Sequence, residues 1–139
     1  MTSRIHLKIP SQMIYLGVPD AVLQEVGGDI DCPQGTIDEL GTAVIEACTN
    51  AMEHGNRLNE DLAIEVWLDL EETRIVVTVL DEGTGFDHAT WQPPQEVMRE
   101  RGRGILIMRE FTDELLYGRA PDGRFHVRLV KNLPQGTQD

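Results

Sequence analysis

Two alternating runs lie back to back in the middle of this 139-residue chain, and they constrain its fold more than any other feature. Leu62, Ile64, Val66 and Leu68 alternate with Ala63, Glu65, Trp67 and Asp69. Residues 73–80 (TRIVVTVL) are rich in β-branched side chains and again half apolar. Only Leu70-Glu71-Glu72 separates the two runs. So short a link can join antiparallel strands, whereas a parallel crossover needs a dozen residues or more. An antiparallel hairpin with one buried face is therefore required.

The rest of the chain supplies what that face packs against. Residues 4–9 (RIHLKI) place Ile5, Leu7 and Ile9 on one side of a strand that Pro10 ends. Residues 20–27 read as a short helix, with Pro19 near its start and Gly27-Gly28 at its end, and residues 29–35 read as loop. A long helix follows. Thr36 and Glu39 form a T-x-x-E capping box. Leu40, Ala43, Val44, Ala47, Cys48, Ala51 and Met52 recur at i, i+3, i+4 spacing as one apolar stripe. Gly55 stands where a left-handed C-cap is common.

Residues 81–104 hold Gly83, Gly85, Pro93, Pro94, Gly102 and Gly104. They read as a long loop with at most a short helix near Gln95–Arg99. A loop that long in a chain this small points to function. Residues 104–111 (GILIMREF) read as a second apolar helix, and 114–117 with 124–130 as an antiparallel pair around Pro121-Asp122-Gly123. From Asn132 onward the chain is polar, and a frayed tail over 132–139 is expected. The economical architecture is α+β: a two-layer sandwich with helices on one face of a mostly antiparallel mixed sheet.

Composition narrows the function classes. The length suits one domain, which buries roughly two-thirds of its unfolded surface. Twenty-four acidic residues against twelve basic ones give a net charge of −12, so phosphates are repelled and nonspecific nucleic-acid binding is not expected. No apolar run approaches the roughly 20 residues of a membrane span, and the first residues (MTSRIHLKIP) lack the apolar stretch of a leader, so a cytoplasmic protein without a membrane role is expected. Cys32 and Cys48 have no partner at metal-ligand spacing; Cys48 lies among apolar residues and reads as core.

The charge is also uneven. Residues 1–98 hold 4 basic and 18 acidic side chains, whereas residues 99–139 hold 8 basic and 6 acidic. A solvated face with codon bias accounts for this, and so does a local anion site in the second part of the chain.

Three constellations carry chemistry. On the long helix, Glu46 and Asn50 are four residues apart and project from the same side. A carboxylate can accept a proton from an attacking hydroxyl, and an Asn carbonyl can ligate Mg²⁺. Polar residues beside an apolar stripe are ordinary, so the pair alone does not decide. His54, in the last turn, equally suits the helix dipole. The second constellation is Asp81-Glu-Gly83-Thr-Gly85-Phe-Asp87, directly after a strand. Glycines there let the backbone approach a planar ligand, and a buried carboxylate can accept a hydrogen bond from an exocyclic amine such as that of adenine. A common D-x-G turn is the plainer alternative. The third is Arg101-Gly102-Arg103-Gly104-Ile105, read as opening a helix, where free backbone N–H groups and arginines bind phosphate. It is neither a Walker P-loop nor a Rossmann fingerprint.

Taken together and in this order, E-A-x-x-N-A-x-x-H-G, D-x-G-x-G-F-D and R-G-x-G-I resemble the N box and glycine boxes of the GHKL ATPase superfamily, with its Bergerat-type ATP-binding fold. Within that superfamily the chain is most similar to the small anti-sigma-factor serine kinases. The resemblance covers roughly residues 4–131 and implies a single histidine-kinase-like ATPase domain over 1–139. It implies Glu46 as general base, Asn50 as Mg²⁺ ligand and Asp81 as adenine contact. Gly83 and Gly85 would shape the nucleotide pocket. Gly102, Arg103, Gly104 and Ile105 would border the phosphates, with 86–101 as an ATP lid. Which of Arg99, Arg101 and Arg103 meets the γ-phosphate stays open, and the lid departs from the family in carrying Trp91, Pro93 and Pro94.

The implied function is an ATP-dependent protein serine kinase that acts as an anti-sigma factor. It would phosphorylate a STAS-type anti-sigma-factor antagonist and sequester a sigma factor, with ATP and Mg²⁺ as cofactors and a homodimer as the implied assembly. An ATP-binding regulatory switch with little or no kinase activity is the alternative. A histidine-kinase module is disfavoured because the chain lacks length for a dimerisation helix pair with a phospho-acceptor His.

Overall fold

A computed structural model of the chain describes residues 2–82 and 94–134. Five strands form one sheet: β1 (Ser3–Pro10), β2 (Ala63–Leu70), β3 (Arg74–Leu80), β4 (Glu114–Arg119) and β5 (Phe125–Asn132). Among the described residues three α-helices pack on one of its faces: α1 (Val18–Asp29), α2 (Gln34–Asn50) and α3 (Pro94–Glu110). Among the described residues the strand order is β1-β2-β3-β5-β4 and all four pairings are antiparallel, in keeping with the mostly antiparallel sheet expected.

The period-2 reading places the core correctly. Ile64, Val66, Leu68, Ile75, Val77, Val79, Val127 and Leu129 all point to the helical side and are buried. The apolar stripe of α2, from Leu40 to Met52, is buried against them. Burial pushes the Cys48 thiol up to about 12, which makes it an inert core residue at neutral pH.

Five local readings are corrected. Gly27 and Gly28 lie inside α1 rather than ending it. Gly27 is there for packing, since a Cβ on it would come within 2.6 Å of the Ile37 side chain. The Thr36–Glu39 capping box does not form. Helix α2 starts two residues earlier, at Gln34, with Pro33 as its N-cap and no side-chain capping bond. The Pro33 carbonyl accepts the N–H groups of Thr36 (3.0 Å) and Ile37 (3.1 Å), so Thr36 already sits within the first turn.

The long helix does not stop at a left-handed Gly55. After Asn50 it widens into a π-helical turn, Ala51–Gly55, and the left-handed residues are Arg57 and Leu58, with φ of 54° and 57°. Helix α3 begins at Pro94, ten residues before the apolar segment that announced it. The run Gln95–Arg101 is made of good helix formers, and proline is well tolerated in a first helical turn, so the helix propagates through Gly102 and Gly104 despite their cost. Finally, Asn132 belongs to β5, and Leu133 donates its N–H to the Thr73 carbonyl (2.8 Å), so the expected frayed tail does not begin at 132; residues 135–139 lie outside the described residues.

Candidate functional site

The site forms where α2 gives way to the π-helical turn and α3 crosses it. Glu46 and Asn50, one turn apart on α2, line a cleft of about 180 Å³ together with Thr49. Glu53 and His54 from the widened turn continue its wall, and Arg103 and Gly104 of α3 close the other side. Two of the three sequence constellations are thus brought face to face. Glu46 is half-buried, whereas Arg103, Glu53 and His54 are exposed at the mouth.

Asn50 is buried at 6% exposure, and its Nδ2 has no hydrogen-bond partner among the described residues. A buried amide atom without a partner costs about 1–3 kcal/mol, so such a group belongs to a site that supplies a partner. Asn50 rests on the backbone of α3. A Cβ on Gly104 would lie 2.7 Å from Asn50 Nδ2 and 3.1 Å from Oδ1. Glycine at 104 is therefore required by the close approach of two helices over the Asn50 amide.

Asp81 does not line this cleft; it stands behind the same turn. It directly follows β3, is buried at 1% exposure, and donates its N–H to the Phe125 carbonyl (3.1 Å). Its carboxylate lies directly against the Cα of Gly55. The next residue, Asn56, is fully buried and was not singled out by any motif. Its Oδ1 accepts the N–H of Glu82 (2.8 Å) and its Nδ2 donates to the Ala63 carbonyl (3.0 Å).

The structure departs from the sequence reading at the third constellation. Gly102, Arg103 and Gly104 lie inside α3, eight residues and more from its start, so their N–H groups run along the helix axis instead of standing free at its N-terminus. Of this segment, Arg103 and Gly104 line the cleft. Ile105 is fully buried in the core and does not face the cleft. Gly83, Gly85 and residues 86–93 of the expected lid lie outside the described residues, as do the side chains of Arg99 and Arg101. Among the described residues no helix is long and apolar enough to cross a membrane.

The described residues thus form a five-stranded antiparallel sheet backed by helices, with an Asn–Glu cleft at one helix end and a buried Asp after a strand end. The model of the histidine kinase-like ATPase domain matches residues 9–131, and the chain belongs to that family. Among curated proteins it is 30% identical over 120 residues to the serine-protein kinase RsbW of Bacillus subtilis, covering 80% of this chain and 75% of that one. It is also 30% identical over 109 residues to the anti-sigma F factor of Bacillus velezensis, covering 75% of each. These relatives place the chain in the serine-kinase branch of the family. A chain in the crystal structure of the SiaB–SiaC complex from Pseudomonas aeruginosa shares the fold, with a TM-score of 0.67 at 17% identity, covering 91% of this chain and 88% of that one.

Proposed function

We propose that this chain transfers the γ-phosphoryl group of ATP to a serine of a STAS-type anti-sigma-factor antagonist, and that it sequesters a sigma factor. The observation that carries the reading is the convergence of Glu46, Asn50 and Arg103 on one cleft from two different helices.

The residues fit the group they would hold. Mg²⁺ takes oxygen ligands, keeps several waters, and in nucleotide sites is held in part by substrate phosphates. Among the described residues no cluster of three or more His, Cys, Asp or Glu comes together to cage a metal alone. The Asn50 amide, buried on the cleft wall with an unpartnered atom, suits such a shared site; the amide's two ends exchange by rotation, so it can present its oxygen. Bound there, Mg²⁺ would offset negative charge on the phosphates.

Within that frame each side chain has one task. Glu46 accepts the proton of the serine hydroxyl as that oxygen bonds to the γ-phosphorus and the bond to the β-phosphate oxygen breaks, releasing ADP. Arg103 faces the phosphates as a fixed cation. Asp81 accepts a hydrogen bond from the adenine amine. Residues 86–101 act as the lid, Gly83 and Gly85 shape the nucleotide pocket, and the whole chain works as one domain, with a homodimer as the proposed assembly.

The test uses γ-labelled ATP, the purified chain and a candidate antagonist. Wild type transfers label to serine. Glu46→Gln keeps ATP binding and loses at least about a hundredfold in transfer rate. Transfer at the wild-type rate by Glu46→Gln removes the base assignment. ATP binding with no transfer by wild type marks the chain as a nucleotide-dependent switch instead.

A further inference from the structure

We propose that Asn56 is a positioning residue for base recognition: its side-chain amide wedges β2 and β3 apart at their ends and thereby sets Asp81. The proposal rests on the nucleotide reading of the site given above.

The register that pairs Glu65 with Leu80 would, if continued, bring Ala63 opposite Glu82. An antiparallel ladder would join that pair by two backbone hydrogen bonds. Neither forms between the two backbones. The Glu82 N–H goes to Asn56 Oδ1 (2.8 Å), and the Ala63 carbonyl receives Asn56 Nδ2 (3.0 Å). The Ala63 N–H goes to the Glu82 carboxylate (2.6 Å). The Asn56 amide thus stands in the ladder like an inserted peptide group, and it does so with both of its ends satisfied at 0% exposure.

The insertion has a consequence for the residue just before Glu82. Asp81 is held on one side by its own N–H bond to the Phe125 carbonyl (3.1 Å) and on the other by the anchored Glu82. Its carboxylate packs on Gly55, the neighbour of Asn56. Asn56 is in turn fixed by its N–H bond to the Ala51 carbonyl (2.8 Å), the bond that closes the π-helical turn. One dipeptide, Gly55-Asn56, therefore both leaves room for the Asp81 carboxylate and fixes the backbone that carries it. Without the amide, the strand ends would close into a regular ladder and carry Asp81 away from the helix end. A side chain needed only to fill space would not require two polar ends, one aimed at the start of β2 and the other at the segment that follows β3.

The experiment compares affinities for ATP and for inosine triphosphate, whose ring has oxygen where adenine has the amine. Wild type should prefer ATP by about ten- to a hundredfold, the range expected for a hydrogen bond to a charged group. Asp81→Asn should remove that preference. Asn56→Ala should also reduce it to within about threefold while leaving the affinity for inosine triphosphate nearly unchanged, a pattern that a general loss of folded protein cannot produce. Asn56→Ser is measured alongside it as the milder variant.

If wild type and Asp81→Asn do not differ in base preference, the adenine role of Asp81 fails and the proposal fails with it. If Asp81→Asn loses the preference while a folded Asn56→Ala keeps it, only the positioning role is overturned. If both Asn56 variants unfold, the residue is a stability element and the proposal is likewise overturned.

Discussion

The Cα of Gly55 lies so close to the carboxylate of Asp81 that a Cβ on residue 55 would stand 2.6 Å from the Asp81 Cβ and nearer still to its Cγ and Oδ2. No side chain fits between the two. Glycine at the end of the motif E-A-x-x-N-A-x-x-H-G is thus explained by contact with the following motif rather than by backbone conformation, because Gly55 is not left-handed.

Gly55→Ala must therefore displace Asp81. The expected outcome is at least a tenfold weaker ATP affinity, measured by titration calorimetry, with a stability loss of about 1–3 kcal/mol from overpacking. Gly35→Ala is the control, since nothing lies within 4 Å of a Cβ there. Wild-type affinity in Gly55→Ala would detach Asp81 from nucleotide binding.

Two adjacent glycines of α1 give a prediction of opposite signs. A Cβ on Gly27 meets Ile37, whereas a Cβ on Gly28 meets nothing within 4 Å. Gly28→Ala should stabilise the fold by up to about 1 kcal/mol, the ordinary gain of alanine over glycine in a helix. Gly27→Ala should destabilise it by about 1–3 kcal/mol, because it pushes α1 off α2. Thermal unfolding of the two variants decides; equal shifts would mean that α1 does not pack on α2 through this contact.

The contrast between those glycines also shows where the sequence is readable. Strands β1 and β2 are legible because alternation fixes both their existence and their buried face, whereas β3 and β5 are legible from their β-branched and apolar runs, with Val76 and Val130 buried out of phase. The cleft residues Glu46 and Asn50 are legible because i, i+4 spacing fixes their common side. A glycine, however, reads as a breaker whether it ends a helix or lets one approach its neighbour, and Gly27, Gly55 and Gly104 are positions of close approach that the sequence does not distinguish from breakers. Asn56 left no signal, since its partners Ala63 and Glu82 lie 7 and 26 residues away. The π-helical turn that presents it has no sequence period of its own.

On the sheet face away from the helices, Glu65 accepts bonds from His6 Nε2 (2.8 Å) and Arg124 Nη1 (2.7 Å), beside a His6–Trp67 stack. Burial pushes the Glu65 carboxyl up, but the His6 and Arg124 contacts together outweigh it, so the group sits below its ordinary 4.5. A carboxyl lowered by folding stabilises the fold fully above its unfolded value, and that contribution fades as pH falls through the folded value. Glu65→Gln should therefore cost up to about 1 kcal/mol at neutral pH, and the difference from wild type should vanish by about pH 2. Denaturant melts at both pH values measure it; a difference that persists in acid would assign the effect to packing on Trp67.

The basic excess after residue 98 can be divided by the same logic. Arg103 lines the cleft with Glu46 and Asn50. Arg128 sits between the buried Val127 and Leu129 on β5, so it projects from the opposite face of the sheet, across from Thr78. A chain of net charge −12 repels a nucleotide at long range, so a single well-placed cation counts for more than the total. Arg103→Ala should weaken ATP binding by about tenfold, the scale of a charge-assisted contact, and Arg128→Ala by less than about twofold. Raising the salt concentration should narrow the gap, because screening acts on the exposed Arg103. Equal losses in the two variants would assign the basic excess to a solvated surface with no preference for the cleft.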